Sequence, residues 1–243
     1  MKKRTSIEEM NAICIMLIED FHKKFHYSNI RTVDIETFVT DYLGTKIVYE
    51  DFAVDVRGRG GYISDGERAL PVLRNGMREL VIFPENVIVI ESSLTDLNEQ
   101  ARLRFAIAHE AAHFIMHKHI PGDFTAAFYT EYTEGECYTP AMLSEMLSIT
   151  ETIANRSAAC LLMPPFVIER ALNTYNNGNK VIAFKGADSV LPDISKRIVQ
   201  RMADSMGVSY SACYYRLKEL NLFDVRPLEE YAANFMSLEA GNV

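Results

Sequence analysis

No apolar run in the 243 residues approaches the roughly 18 needed to cross a bilayer, so no membrane span is expected. The four cysteines, Cys14, Cys137, Cys160 and Cys213, are scattered and form no C-x-x-C pair. A chain this long buries a core without staples, so the expectation is reduced thiols in a cytoplasmic protein. No internal period marks a solenoid, and 48% hydrophobic with 24% charged residues is a globular balance, not a disordered one. Basic residues are outnumbered, 25 against 33 acidic ones, for a net charge of −8. That excess disfavours broad, non-specific nucleic-acid binding. A secretory leader is not expected either. Lys2, Lys3 and Arg4 precede an apolar stretch at 12–18, but Glu8 and Glu9 interrupt the pattern. Glu19 and Asp20 then stand where a small-residue cleavage site belongs.

Most of the periodic segments read as helix. Ile7, Met10, Cys14, Leu17, Phe21 and Phe25 fall on one helical face. Residues 33–43 form a second, shorter helix closed by Gly44, and 45–49 a strand. The glycine-bearing stretch 56–76 reads as loop or irregular hairpin, with a spacing that fits neither nucleotide fingerprint. Two β-rich runs, 79–83 and 87–91, joined by Pro84-Glu85-Asn86, suggest a hairpin. A helix capped by Ser93 or Thr95 then runs to about His117 and is ended by Pro121-Gly122. After a Tyr- and Glu-rich stretch come a helix over 141–163, stopped by Pro164-Pro165, and a short one over 166–175. Residues 192–226 read as helix, Gly207, helix.

The chemistry sits in His109-Glu110-Ala111-Ala112-His113, an H-E-x-x-H sequence within a helix. Positions four apart on a helix lie about 40° and 6 Å from each other, so two imidazoles converge on one ion. Glu110 projects to the side, where it reaches a water molecule rather than the ion. His117 lies about 80° around and 12 Å along from His109, too far to share the ion, and with no glycine turn before it. His117 and His119 are therefore read as structural or surface residues. A zinc site needs a third protein ligand. Glu151 is the choice, an acid in a helix otherwise made for burial: Ile153, Ala154, Ala158, Ala159, Leu161 and Leu162. Asn155, one turn on, faces the same way and can accept the second ring N–H of a ligating histidine.

Two segments resemble the ImmA/IrrE family of bacterial metallo-endopeptidases. They are Arg104-Phe105 with His109-Glu110-Ala111-Ala112-His113-Phe114, and Glu151 with Ala154-Asn155, Ala158-Ala159 and Leu161-Leu162-Met163-Pro164. The likeness is looser over 202–222. It implies an α+β, mostly helical fold: a minimal zincin-like core with a small β-sheet or hairpin and a C-terminal helix-turn-helix-like segment. The corresponding division is a peptidase domain over 1–190, with a helix-turn-helix-like region over 191–243 packed on it. It also implies Zn2+ on His109, His113 and Glu151, and a protein substrate: a cognate DNA-binding repressor with a helix-turn-helix. Two departures stand out. Ser157 replaces a bulky apolar residue, and the spacer between His113 and Glu151 is long, leaving Glu134, Glu136 and Glu145 as rival ligands.

On this reading zinc acidifies water and polarises the scissile carbonyl, while Glu110 moves the proton to the leaving amine. The strand over 87–91 is a candidate edge for an extended substrate. An oxyanion partner would come from Tyr129, Tyr132, Tyr138 or His119. The rival from another class is a DNA-binding regulator, since 196–220 reads as helix, turn, helix with Ser209 as a cap. Residues 194–226 carry six basic and three acidic side chains, only +3, and the second helix offers just Arg216 and Lys218 near its end. Direct DNA binding is therefore not expected. An inactive metal-holding scaffold is the third reading.

Overall fold

The computed structural model describes residues 7–27, 30–53, 60–119, 140–185 and 191–230. Helix α1, Ile7–Lys24, buries Met10, Cys14, Leu17, Ile18 and Phe21, the stripe that its periodicity predicts. Glu8 and Glu9 lie in its first turn and Lys23 and Lys24 in its last, each opposing the helix dipole. Phe21 anchors the segment after α1, with the rings of Phe25, Tyr27, Phe38 and Tyr42 at 5.0–5.7 Å. Helix α2, Ile35–Thr37, is capped by Asp34, whose carboxylate accepts the Thr37 N–H. It continues as a π-turn over Phe38–Tyr42 and stops at Gly44, which takes φ +73.

Five strands come next: β1 (Ile47–Glu50), β2 (Gly61–Ile63), β3 (Ala69–Arg74), β4 (Met77–Ile82) and β5 (Ile88–Glu91). Three form a sheet in the order β1-β5-β2, with β5 parallel to β1 and antiparallel to β2. The other two form a hairpin, β3-β4. The expected hairpin between 79–83 and 87–91 does not form. Asn75-Gly76, at φ +52 and +76, supplies the two-residue turn that a twisted hairpin prefers, so β4 folds back on β3. Pro84-Glu85-Asn86 instead carries the chain into the larger sheet, where Asn86 N–H donates to the Ser64 carbonyl. Part of the stretch expected as loop is therefore strand, β2 and β3.

One face of the larger sheet, with Val48, Tyr62 and Val89, packs on Phe52, Leu70, Val72, Phe83 and Val87. The opposite face, with the fully buried Ile88 and Ile90, lies against helix α3, Gln100–His119. Two short 3₁₀ turns, Ser92–Thr95 and Leu97–Glu99, lead into α3, so it starts later than its caps suggest. Leu103, Ala106, Ile107, Ala108, Ala111, Ala112, Phe114, Ile115 and Met116 are all buried, which marks α3 as a core helix. Helix α4, Pro140–Leu162, packs along it and also against α1. The fully buried small residues Ala108, Ala111, Ala112, Ala154 and Ala158 belong to these two helices. Ser157, the polar departure from the family pattern, is buried in α4 as well.

The chain divides into two compact units, Met1–Pro164 and Pro165–Val243. The division falls at the diproline rather than at 190–191, because β6 (Val181–Phe184) pairs in parallel with β7 (Phe223–Arg226). The second unit also holds α5 (Pro165–Asn176), α6 (Asp193–Met206) and α7 (Tyr210–Glu219). Gly207 closes α6 in the left-handed region at φ +64, and the Ser209 hydroxyl caps α7 by accepting the Ala212 N–H. The fold is thus mostly helical α+β, as the sequence suggests. Among the described residues no helix is long and apolar enough to cross a membrane.

Candidate metal centre

Helix α3 carries His109, Glu110 and His113 in its middle, flanked by residues too buried to let it shift. One turn apart, the two imidazoles meet as helical geometry requires: their Nε2 atoms are 2.9 Å apart and their rings nearly perpendicular. From α4, Glu151 reaches both, with Oε2 3.2 Å from His109 Nε2 and Oε1 3.7 Å from His113 Nε2. These three are, among the described residues, the group of His, Cys, Asp or Glu side chains whose ligand atoms lie close enough to hold one ion. Ligands bound about 2.0–2.1 Å from a tetrahedral ion stand about 3.3 Å from one another. Separations of 2.9, 3.2 and 3.7 Å bracket that value, and two imidazoles with one carboxylate suit zinc.

Electrostatics favour a cation at the same point. Burial lowers the His109 pKa, but the Glu151 hydrogen bond, the charges of Glu110 and Glu151, and Asn155 outweigh it and raise the net value. Burial and the neighbouring His109 push His113 down to about 2, which leaves its ring neutral and its lone pair ready to bind. Asn155 Oδ1 lies 3.0 Å from His109 Nδ1. An amide oxygen only accepts, so His109 donates from Nδ1 to Asn155, which leaves Nε2, the atom facing Glu151 and His113, as the one that would bind an ion.

Glu151 is not the buried carboxylate expected from its apolar helix: its side chain is 50% exposed. Convergence on the histidines, not burial, singles it out. Its rivals Glu134 and Glu136 lie outside the described residues, as do Tyr129, Tyr132 and Tyr138 and the side chains of Glu145 and His119. His117 is exposed, one turn beyond His113.

Glu110 is buried and lies outside the ligand group. Beside it runs β2, part of the stretch whose glycines read as loop. A Cβ placed on Gly61 would stand 2.7 Å from Glu110 Cγ and 3.0 Å from its Oε1. The paired glycines Gly60-Gly61 are the sequence signal for this approach, since a glycine inside a strand often marks a close backbone neighbour. The candidate substrate edge moves accordingly. Residues 87–91 cannot serve, because β5 is the central strand, paired on both sides. Among the described residues, β2 has no strand on its other edge.

A histidine pair one helical turn apart, completed by a carboxylate from a neighbouring helix, is the arrangement of a metallopeptidase. The chain belongs to the Peptidase M78 family: the family's model, described as the IrrE N-terminal-like domain, matches residues 40–218. No curated protein matches it. The matched span takes in both small sheets of the first unit, the α3–α4 pair and the site.

Proposed function

We propose that the protein is a zinc-dependent endopeptidase that cuts a protein substrate, namely a helix-turn-helix transcriptional repressor in the cytoplasm. The observation that carries the enzymatic part is the convergence of His109, His113 and Glu151 from α3 and α4 within coordinating distance. Those three would hold the ion, with Asn155 fixing the His109 ring. Bound there, zinc supplies Lewis acidity toward a carbonyl and a water molecule. Glu110 takes the water proton at its carboxylate and delivers it to the departing amine. Its burial keeps that carboxylate in place beside β2. The edge of β2 that has no strand beside it among the described residues binds the substrate in extended form through main-chain hydrogen bonds. The repressor as substrate rests on the family resemblance.

Against the DNA-binding alternative stands Arg216. Its guanidinium is buried and donates to Glu219 Oε2 at 2.8 Å, so it cannot reach a base edge. Lys218 alone remains exposed of the two basic residues of α7. The test combines both activities. Zinc-loaded protein should cut a repressor encoded beside it at one or a few bonds, a chelator should stop the cleavage, and Glu110→Gln should abolish it. Zinc retention without any cleavage would favour the inactive scaffold. Tight, salt-sensitive, sequence-selective DNA binding that depends on Lys218, with no cleavage, would establish the regulator instead.

A further inference from the structure

The position of Gly61 is not explained by backbone conformation. Its φ is not among the positive ones, so any residue could adopt its backbone. What the site cannot accommodate is a side chain. Gly61 pairs with Ile90 across the β2–β5 ladder and turns its Cβ position toward α3. A methyl there would meet Glu110 Cγ at 2.7 Å, Glu110 Oε1 at 3.0 Å and Ile90 Cδ1 at 3.1 Å. The first distance is the decisive one, because Cγ lies near the root of the side chain. Relieving it takes a new rotamer of Glu110 or a retreat of the strand. Glu110 is only 7% exposed, which leaves little room for a small adjustment. Gly60, the neighbouring residue, provides a contrast. A methyl there would meet Ala106 Cβ at 3.1 Å and Leu94 Cδ1 at 3.5 Å, and no atom of Glu110.

We propose that Gly61 is a positioning residue: its missing side chain lets β2 close over Glu110 and hold that carboxylate at the working distance from the substrate. Without that close approach the base would have a choice of rotamers. With it, the strand that binds the substrate and the carboxylate that serves it are set by one contact. This inference rests on the peptidase reading, and it makes a separate demand, that a single methyl should cost catalysis without costing metal. A misplacement of about 1 Å costs as much as 10²-fold in rate.

The test uses the full chain, zinc-loaded, as wild type, Gly61→Ala, Gly60→Ala, Glu110→Gln and the double variant Gly61→Ala with Ile90→Val. The double variant removes Cδ1, the other atom that the methyl meets, so it relieves packing without relieving Glu110. Three quantities are measured: zinc per chain, affinity for acetohydroxamate, and kcat and KM on the best-cut peptide of a randomised quenched pool. Acetohydroxamate chelates zinc and hydrogen-bonds to a carboxylate beside it, so it reports on Glu110 without any cleavage. Gly61→Ala should keep its zinc and bind acetohydroxamate about tenfold more weakly, as Glu110→Gln does. Its kcat should fall about 10- to 100-fold with KM within about threefold. Gly60→Ala, whose methyl presses on Ala106 and on no atom of Glu110, should lose some thermal stability but keep wild-type zinc content and acetohydroxamate affinity. The double variant should regain thermal stability but not kcat or acetohydroxamate affinity. Zinc loss in Gly61→Ala, wild-type acetohydroxamate affinity, or recovery of kcat in the double variant would each overturn the proposal. If wild type cuts neither a peptide of the pool nor the repressor encoded beside it while the acetohydroxamate pattern holds, the peptidase reading fails and only the placing of Glu110 by Gly61 stands. If Glu110→Gln leaves acetohydroxamate binding unchanged, the carboxylate does not face the ion and the positioning role fails, whatever the cleavage assay gives.

Discussion

Replacing Asn155 isolates one contact of the centre. Its Oδ1 accepts the His109 Nδ1–H at 3.0 Å, and it touches no position that the ion would occupy. Losing a partner behind a ligating histidine typically weakens metal binding 10- to 100-fold. Asn155 is exposed, so water takes over part of the bond in Asn155→Ala, and the cost falls at the low end. That is about tenfold in zinc affinity, or about 1.4 kcal/mol. Asn155→Asp should behave in the opposite sense. A carboxylate accepts the same N–H, more strongly, and adds negative charge near the ion. Competition against a chromophoric chelator at fixed pH measures both affinities. Thermal midpoints without metal serve as the control, since a substitution on an exposed helical face shifts stability by only about 0.5 kcal/mol. Asn155→Ala within twofold of wild type, or Asn155→Asp as weak as Asn155→Ala, would refute the role given to this hydrogen bond.

Buried ionisable groups give two further expected outcomes. Arg216→Ala should destabilise the second unit by about 3 kcal/mol, because it leaves Glu219 without its guanidinium partner and empties a fully buried volume. Unchanged denaturant midpoints would contradict this. Burial holds the His22 imidazole down at about 4 from its ordinary 6.5, so the folded protein keeps it neutral where the unfolded chain protonates it. Its contribution to stability is therefore complete above pH 6.5 and is lost as the pH falls toward 4. Urea midpoints across that window should fall for wild type and fall less for His22→Gln; equal slopes would contradict the assignment.

The helices are legible in the sequence because their signals are local. The stripe of α1, the αL glycines at 44 and 207, the Ser209 cap and the diproline stop each act within a few residues, and each element forms where they indicate. The histidine pair is legible for the same reason, since a spacing of four on a helix is a statement about geometry. Sheet pairing is not local. β5 takes its partners from β1 and β2, about 25 to 41 residues upstream, and nothing in the run 88–91 names them. Two turn signals compete at 75–76 and 84–86, and the tighter Asn-Gly pair wins the hairpin. Glu151 stands out in the sequence as an acid among apolar neighbours, yet its exposure removes burial as the reason. The helix register that aims it at the histidines is what places it in the group. Gly61 looks like loop because the residue that explains it, Glu110, is 49 positions away and meets it only in the folded chain.

The proposed roles put His109, His113 and Glu151 on the ion and Glu110 beside it. Zinc per chain, measured by mass spectrometry after a mild chelator wash of purified Glu110→Gln and Glu151→Ala, tests it most directly. About one zinc retained in Glu110→Gln and very little in Glu151→Ala is the predicted result. Full zinc in Glu151→Ala together with loss in Glu110→Gln would exchange the roles of the two carboxylates.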